Sequence, residues 1–360
     1  MAVSYKLELA ERAAMFTNRI GMLDSYKLVR ARLAKSQVAI LMYHRVEPQK
    51  NPWFFPYSIT ISDFENQIIY LVKHYSILSL NELVDHVYEH QPLPKKAVVL
   101  TFDDGYKDNY TYAYPILKKY GVPATVFLTA GHIGSGELFW WDKITYVLQH
   151  TLCDVLELDD IGSYPLKSTG ERLRAASTLV KKLGKLPEPE KNLLIEKIVN
   201  MLAVNIPADS GKELILSWDE VREMNHGGIA IGAHTVTHPV LTKLLPEQAK
   251  REIIESRKII EEKIGQPVTA FSYPGGKFSD KTASLLKDNG FRCALTSVPS
   301  MTTSKSNPYE LGRIIGGWTY TVFKALLFGL YTDLHALASR INRTDNNNDN
   351  GGQTRSFGGR

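Results

Sequence analysis

The 360-residue sequence predicts an α/β fold built on a parallel sheet, on three observations. Continuously apolar runs such as residues 38–43 and 97–102 have the composition of strands buried on both faces. Helical periodicities alternate with these runs, which is the pattern of strand–helix–strand units. The conspicuous polar residues follow the runs directly, and in a parallel barrel the C-terminal strand ends form one face where active sites sit.

Each element follows in order. Residues 5–36 read as helical. The run 38–43 is a strand ending at His44. A Pro-rich aromatic loop with Trp53, Phe54 and Phe55 comes next. Residues 62–74 and 80–90 read as helices, the first opened by a Ser62/Glu65 capping box. The strand 97–102 runs into Asp103-Asp104-Gly105. A helix over 110–120 stops at Gly121, and residues 124–128 form the next strand.

Residues 142–215 break this rhythm, with helical patterns at 171–184 and 189–203, and read as a helical insertion. The alternation resumes with a strand at 229–231 leading to His234 and a helix over 246–264. A strand at 268–271 leads to Ser272-Tyr273-Pro274-Gly275-Gly276. A helix at 279–289, a strand at 292–295 and then Arg313 follow. Residues 321–341 carry Phe323, Leu326, Leu327, Leu330, Leu334 and Leu337 at amphipathic spacing. The polar, low-complexity residues 342–360 read as a disordered tail. There is no internal repeat. The expected organisation is a basic leader over 1–37, a barrel over 38–320 with the insertion, a helix over 321–341 and the tail.

Composition excludes several classes. The chain is 44% hydrophobic and 22% charged, ordinary for a globular protein and unlike a disordered or collagen-like one. The net charge of +5 is concentrated in residues 1–37, with seven basic and three acidic side chains. The remaining 36 basic and 35 acidic residues leave no field for nucleic acid. The leader reads first as a solvated helix packed on the main domain and helix 321–341 as core packing, with peripheral contact with an anionic membrane surface the alternative for both. No stretch reaches the 18 apolar residues of a spanning helix, and no signal-peptide h-region is recognisable, so the expected location is cytoplasmic, peripheral at the inner membrane face. Cys153 and Cys293 are expected to be reduced.

Two motifs carry chemistry. Asp103-Asp104-Gly105 sets two carboxylates on a tight turn after a buried strand. His234 and His238 stand four apart, one face of a helical turn if the segment is helical. One carboxylate and two imidazoles make a three-ligand set for a catalytic divalent metal. Trp140 and Trp141 offer faces on which a sugar stacks, or anchors for the insertion.

The segments Thr101-Phe102-Asp103-Asp104-Gly105 and His234-Thr235-Val236-Thr237-His238 resemble the signature of the polysaccharide deacetylases, the NodB-type domain of carbohydrate esterase family 4. Residues 41–46, 124–128 and 217–221 resemble other family segments. The resemblance covers about residues 38–140 and 215–315. It implies a distorted, incomplete (β/α)7 barrel and a metal-dependent hydrolase that deacetylates N-acetylated amino sugars of a polysaccharide or its lipid-linked precursor. By position, Asp104, His234 and His238 would hold the metal, usually Zn2+, with Co2+ or Ni2+ as alternatives. Asp103 would be the base, and Tyr273, Trp140 and Trp141 would contact the glycan.

Two family features are altered. The third motif usually reads Arg-x-Pro-Tyr; here Ser272 replaces the arginine and Gly275 the aromatic residue, whose backbone N–H would still serve the oxyanion. Arg313 is the candidate for the missing cation. The usual late histidine acid is absent, and His44 is the candidate substitute. Hydrolysis of non-sugar amides, or glycan binding without catalysis, are the other functions compatible with this pattern.

Overall fold

A computed structural model describes residues 37–53, 58–159, 161–318 and 320–327. Apart from Gln37, the leader lies outside these residues, as do Phe54, Phe55, most of helix 321–341 and the tail. Among the described residues, no helix is long and apolar enough to cross a membrane.

The core is a curled parallel sheet. Its strands are β1 (Val38–Tyr43), β5 (Ala97–Phe102), β6 (Thr125–Leu128), β9 (Ala230–Ala233), β10 (Ala270–Ser272), β11 (Cys293–Leu295) and β12 (Ile314–Ile315). Their order is β11-β10-β9-β6-β5-β1-β12, and the short β4 (Ser76–Ile77) pairs with β5 off this path. The two ends of the order meet through a single parallel bridge, Leu295 to Leu311, so the barrel is distorted and incompletely closed. Every residue of β1 and β5 is buried, because helices cover one face and barrel-interior side chains the other.

Helices α1 (Ile61–His74), α2 (Leu80–Tyr88), α3 (Tyr114–Tyr120), α7 (Trp218–His226), α8 (Pro246–Ile264) and α9 (Asp280–Asp288) connect the strands. One turn of π-helix at Asn109–Ala113 precedes α3. The cap of α1 differs from the expected Ser62/Glu65 box: Thr60 accepts the Asp63 N–H at 3.0 Å, two residues earlier. A threonine in extended backbone just before the helix is the better-placed acceptor. Helix α10 (Tyr320–Leu327) buries Val322, Phe323, Leu326 and Leu327 against the barrel core.

Between β6 and β9 the chain forms α4 (Trp140–His150), α5 (Thr169–Leu183) and α6 (Glu188–Leu202). It also forms an antiparallel hairpin of β7 (Val155–Leu158) and β8 (Gly162–Pro165), which the helical reading of this segment did not contain. Ile144, Leu148, Leu156, Leu179, Ile198 and Leu202 belong to a core separate from that of the barrel. Both cysteines are free thiols. A small parallel ladder of β2 (Arg45–Glu47) and β3 (Ser58–Thr60) completes the fold.

Candidate active site

The site is assembled at the C-terminal strand ends. Asp103 and Asp104 leave β5, His234 leaves β9, Ser272 ends β10 and His44 follows β1. The turn after β5 is exacting. Asp104 has a φ of 76°, uncommon for a residue with a side chain. Gly105 has a φ of 86°, a left-handed conformation that favours glycine, and a Cβ there would stand 2.7 Å from the Ile133 Cδ1 at the end of its side chain. The backbone strain falls on the residue that presents a carboxylate to two imidazoles, as is common at functional positions.

Asp104 Oδ1 lies 3.4 Å from both His234 Nε2 and His238 Nε2. The segment 234–238 is not helical as the four-residue spacing had allowed. It is a loop with positive φ at Thr235 and His238. Thr235 Oγ1 donates to the His234 carbonyl and accepts the His238 N–H, which folds the loop back so that both rings converge. His234 Nδ1–H donates to the Ser272 carbonyl at 2.7 Å, which leaves a lone pair on Nε2 in the neutral ring.

These features fit a cation. Asp104 Oδ1 is buried and has no hydrogen-bond partner among the described residues. Facing it are an imidazole lone pair and a second imidazole nitrogen, and one ligand atom from each of the three residues lies within 4.8 Å of the others. Converging acceptors repel unless a proton or a metal ion stands between them. Burial alone would raise the Asp104 carboxyl, but its two imidazole neighbours outweigh that and hold it well below the carboxylate range.

Asp103 is held differently. Arg313 Nη1 donates to its Oδ1 at 2.7 Å and Nη2 to its Oδ2 at 2.6 Å, a bidentate pair. Ser272 Oγ also donates to Oδ2 at 3.2 Å and receives Arg313 Nη2 at 2.9 Å. The Arg313 side chain is fully enclosed in the barrel and is further fixed by Thr101 Oγ1 and the Thr296 carbonyl. Ser272 stands where the family's arginine is usual, and Arg313 brings its guanidinium to that serine and to Asp103 from the far end of the sequence. Burial works to raise Asp103, but the charge of Arg313, then His234, outweighs it, so the carboxyl is lowered and ionised at neutral pH.

His44 sits within electrostatic reach of Asp104, Asp103, Arg313 and His234. Burial is the main influence on it and lowers its pKa against the two carboxylates, so the ring is neutral at pH 7. Gly275 is exposed, with a left-handed φ of 64° inside a tight turn at Pro274–Gly276.

The three aromatic candidates separate. Trp141 borders the cluster: its ring meets His238 edge-on at 4.7 Å and stacks on Phe139 at 4.6 Å. Trp140 packs against the core of the insertion, with the Lys191 ammonium 5.1 Å over its ring. Tyr273, expected at the substrate, is corrected by its burial. Its ring is 1% exposed, stacks on Phe278 and donates to the Tyr309 carbonyl, so it presents no face to a ligand. Its neighbour Ser272 faces Asp103, and along a strand the next side chain turns to the other side.

Sequence reasoning missed Tyr106 and Asp142. Trp141 Nε1 donates to Tyr106 Oη at 2.7 Å, and Tyr106 donates to Asp142 Oδ2 at 3.0 Å. The Arg45 guanidinium lies 4.8 Å over the Tyr106 ring. The position of Tyr106 immediately after the Asp-Asp-Gly turn was the available signal.

Comparison with known proteins finds relatives in sequence and in fold. A family model described as polysaccharide deacetylase matches residues 90–294, more than half of the chain. The Bacillus subtilis protein YxkH is 24% identical over 280 residues, covering 78% of this chain and 71% of that protein. The poly-beta-1,6-N-acetyl-D-glucosamine N-deacetylase of Staphylococcus aureus is 40% identical over 90 residues, which span 25% of this chain and 31% of that protein. The solved structure of IcaB from Ammonifex degensii superposes with a TM-score of 0.54 at 20% identity, covering 81% of this chain and 96% of that one, and shares its fold.

Proposed function

The chain belongs to the polysaccharide deacetylase family, and from that premise we propose a metal-dependent hydrolase that removes N-acetyl groups from amino-sugar residues of a glycan. The observation that carries the metal dependence is the orphaned Asp104 Oδ1, buried between His234 Nε2 and His238 Nε2. We assign these three residues as ligands and Zn2+ as the ion, because imidazole and carboxylate donors in a three-ligand set suit it; Co2+ and Ni2+ are the alternatives. A divalent ion held by these residues would supply an acidified water and a Lewis acid for the acetamide carbonyl.

The remaining roles belong to the protein's own groups. Asp103, ionised and locked by Arg313, accepts a proton from the attacking water through lone pairs that the guanidinium leaves free. Arg313 is a positioning residue: its bidentate contact fixes the carboxylate plane. The Gly275 N–H donates to the oxygen that gains charge as the carbonyl carbon becomes tetrahedral. His44 rests neutral; the proton that Asp103 takes from water passes on to it within the site, and the imidazolium gives that proton to the departing amine, so both groups return to their resting states. Trp141 offers the apolar face on which a sugar ring packs beside His238.

Poly-β-1,6-N-acetylglucosamine is the first substrate to assay, because the Staphylococcus relative is named for it. A lipid-linked precursor at the cytoplasmic membrane face is the finer proposal, supported by the basic excess in residues 1–37. The test is acetate release from N-acetylated oligosaccharides, O-acetylated sugars and small cyclic amides in parallel. Release confined to the N-acetylated sugars is expected. Release only from the cyclic amides contradicts the glycan reading, and metal uptake without release from any of them contradicts catalysis.

A further inference from the structure

The loop that carries both imidazoles is held from outside the cluster by one side chain. Glu252, half-buried on α8, accepts the Val236 N–H at 2.7 Å and the Thr237 N–H at 3.0 Å on Oε2. Its Oε1 accepts the Thr237 hydroxyl at 2.7 Å. The opposite edge of the same peptides is also tied: the Thr235 and Val236 carbonyls accept the Ala130 and Gly131 N–H groups, each at 2.9 Å. Gly131 permits this approach, since a Cβ there would stand 2.8 Å from the Val236 carbonyl oxygen.

The loop needs such restraint. Thr235 and His238 adopt φ of 67° and 62°, conformations that persist in side-chain-bearing residues only where the surroundings over-determine them. Relaxation at either position swings an imidazole away from Asp104. Helix α8 is a firm base, because Ala249, Ile253 and Ile260 are buried in the barrel core.

We propose that Glu252 is a positioning residue of the metal site, whose carboxylate clamps the Val236–Thr237 backbone so that His234 and His238 remain converged on Asp104 before metal arrives. The inference rests on the metal reading above. Groups one shell beyond the ligands typically change metal affinity by about 10–100-fold, because a pre-set geometry removes the ordering cost from binding. The clamp sits on the partly exposed side of the loop, where water can replace it in a truncated variant without unfolding the barrel.

The test uses the full chain, stripped of metal and titrated with Zn2+ against a chromophoric chelator and with Co2+ by visible absorption. Thermal unfolding in chelator runs in parallel. Glu252→Ala is expected to weaken Zn2+ binding by about 10–100-fold and to alter the Co2+ spectrum, with little change in apo-protein Tm. Glu252→Gln is expected to restore most of the affinity, since its carboxamide oxygen still accepts both N–H groups and its NH2 meets the Thr237 hydroxyl. Wild-type affinity and spectrum in Glu252→Ala overturn the clamp alone. A drop in apo-protein Tm with unchanged affinity of the folded protein also overturns it, leaving Glu252 a merely structural residue. A wild-type chain that takes up no metal overturns the metal reading and the clamp with it.

Discussion

Two groups of buried carboxylates stand side by side at the top of this barrel, and they hold their protons in opposite ways. At Asp103 both oxygens receive an N–H from Arg313, and the compensation outweighs burial, so the carboxyl is lowered. At Asp142 burial dominates and pushes the carboxyl up to about 7. Its Oδ2 accepts only the Tyr106 hydroxyl, and its Oδ1 has no partner among the described residues. Arg45, the nearby cation, directs Nε to Asp108 and Nη2 to Glu47, and meets Tyr106 through the ring face. Proximity to an arginine is therefore not enough to ionise a buried acid: at Asp103 the charges of Arg313 and His234 outweigh burial, whereas at Asp142 the charge of Arg45 does not. The first group is suited to accept a proton at neutral pH. The second is suited to hold Trp141 in place.

Breaking the first group has the largest expected effect. Asp103→Asn removes the proposed proton acceptor and is expected to lower turnover by about 10²–10⁴-fold while metal content by elemental analysis stays at the wild-type level. His44→Gln is expected to keep metal and lose most turnover. Unaltered kinetics in either variant would remove that residue from the mechanism.

Arg313→Ala separates the two influences on Asp103. It leaves a buried carboxylate without its counter-charge, at a cost of about 3–5 kcal/mol in urea unfolding. With burial then dominant, the acid limb of the kcat/KM profile is expected to move to higher pH. A variant with wild-type stability and an unmoved profile would show that the guanidinium does not set the state of Asp103.

The smallest effect comes from the second group. Asp142 binds its proton more tightly in the folded state than in the unfolded chain, where the pKa is about 3.9. Below that value both states are protonated and there is no differential. Between about 3.9 and the folded value of about 7, only the folded state keeps the proton, so stability falls as pH rises, and it levels off above. Asp142→Asn carries no titrating proton and keeps an oxygen for the Tyr106 hydroxyl. By pH 8 it is expected to be more stable than wild type by about 1–2 kcal/mol, less than the full shift implies because the new amide N–H groups need partners. Urea unfolding at pH 5 and pH 8 reads this directly, and a wild-type to variant difference that does not change with pH would contradict it.

Much of this comparison was legible in the sequence and part of it was not. The strands were readable because they are unbroken apolar runs; β5 spans Ala97–Phe102 as expected. Asp103, Asp104, His234 and His238 were readable because contiguous motifs follow those runs. What escaped depends on contacts between distant residues. The fork of Arg313 on Asp103 joins positions 210 residues apart, and chain order alone offered it only as a candidate. The Tyr106–Asp142–Trp141 chain joins the turn after β5 to the helix that starts the insertion. Tyr273 misled because adjacency to the site in sequence is not adjacency in space when the backbone alternates. The hairpin of β7 and β8 was hidden because its strands are four residues long and partly exposed.

The central claim is that Asp104, His234 and His238 hold a divalent ion on which hydrolysis depends. The most direct test is metal content per chain, measured with acetate release from an N-acetylated oligosaccharide, in wild type and Asp104→Asn. About one ion per chain in the wild type is expected, with metal and acetate release lost together in the variant and on chelation. Acetate release that survives chelation, or an Asp104→Asn protein that keeps stoichiometric metal and full turnover, would contradict the account.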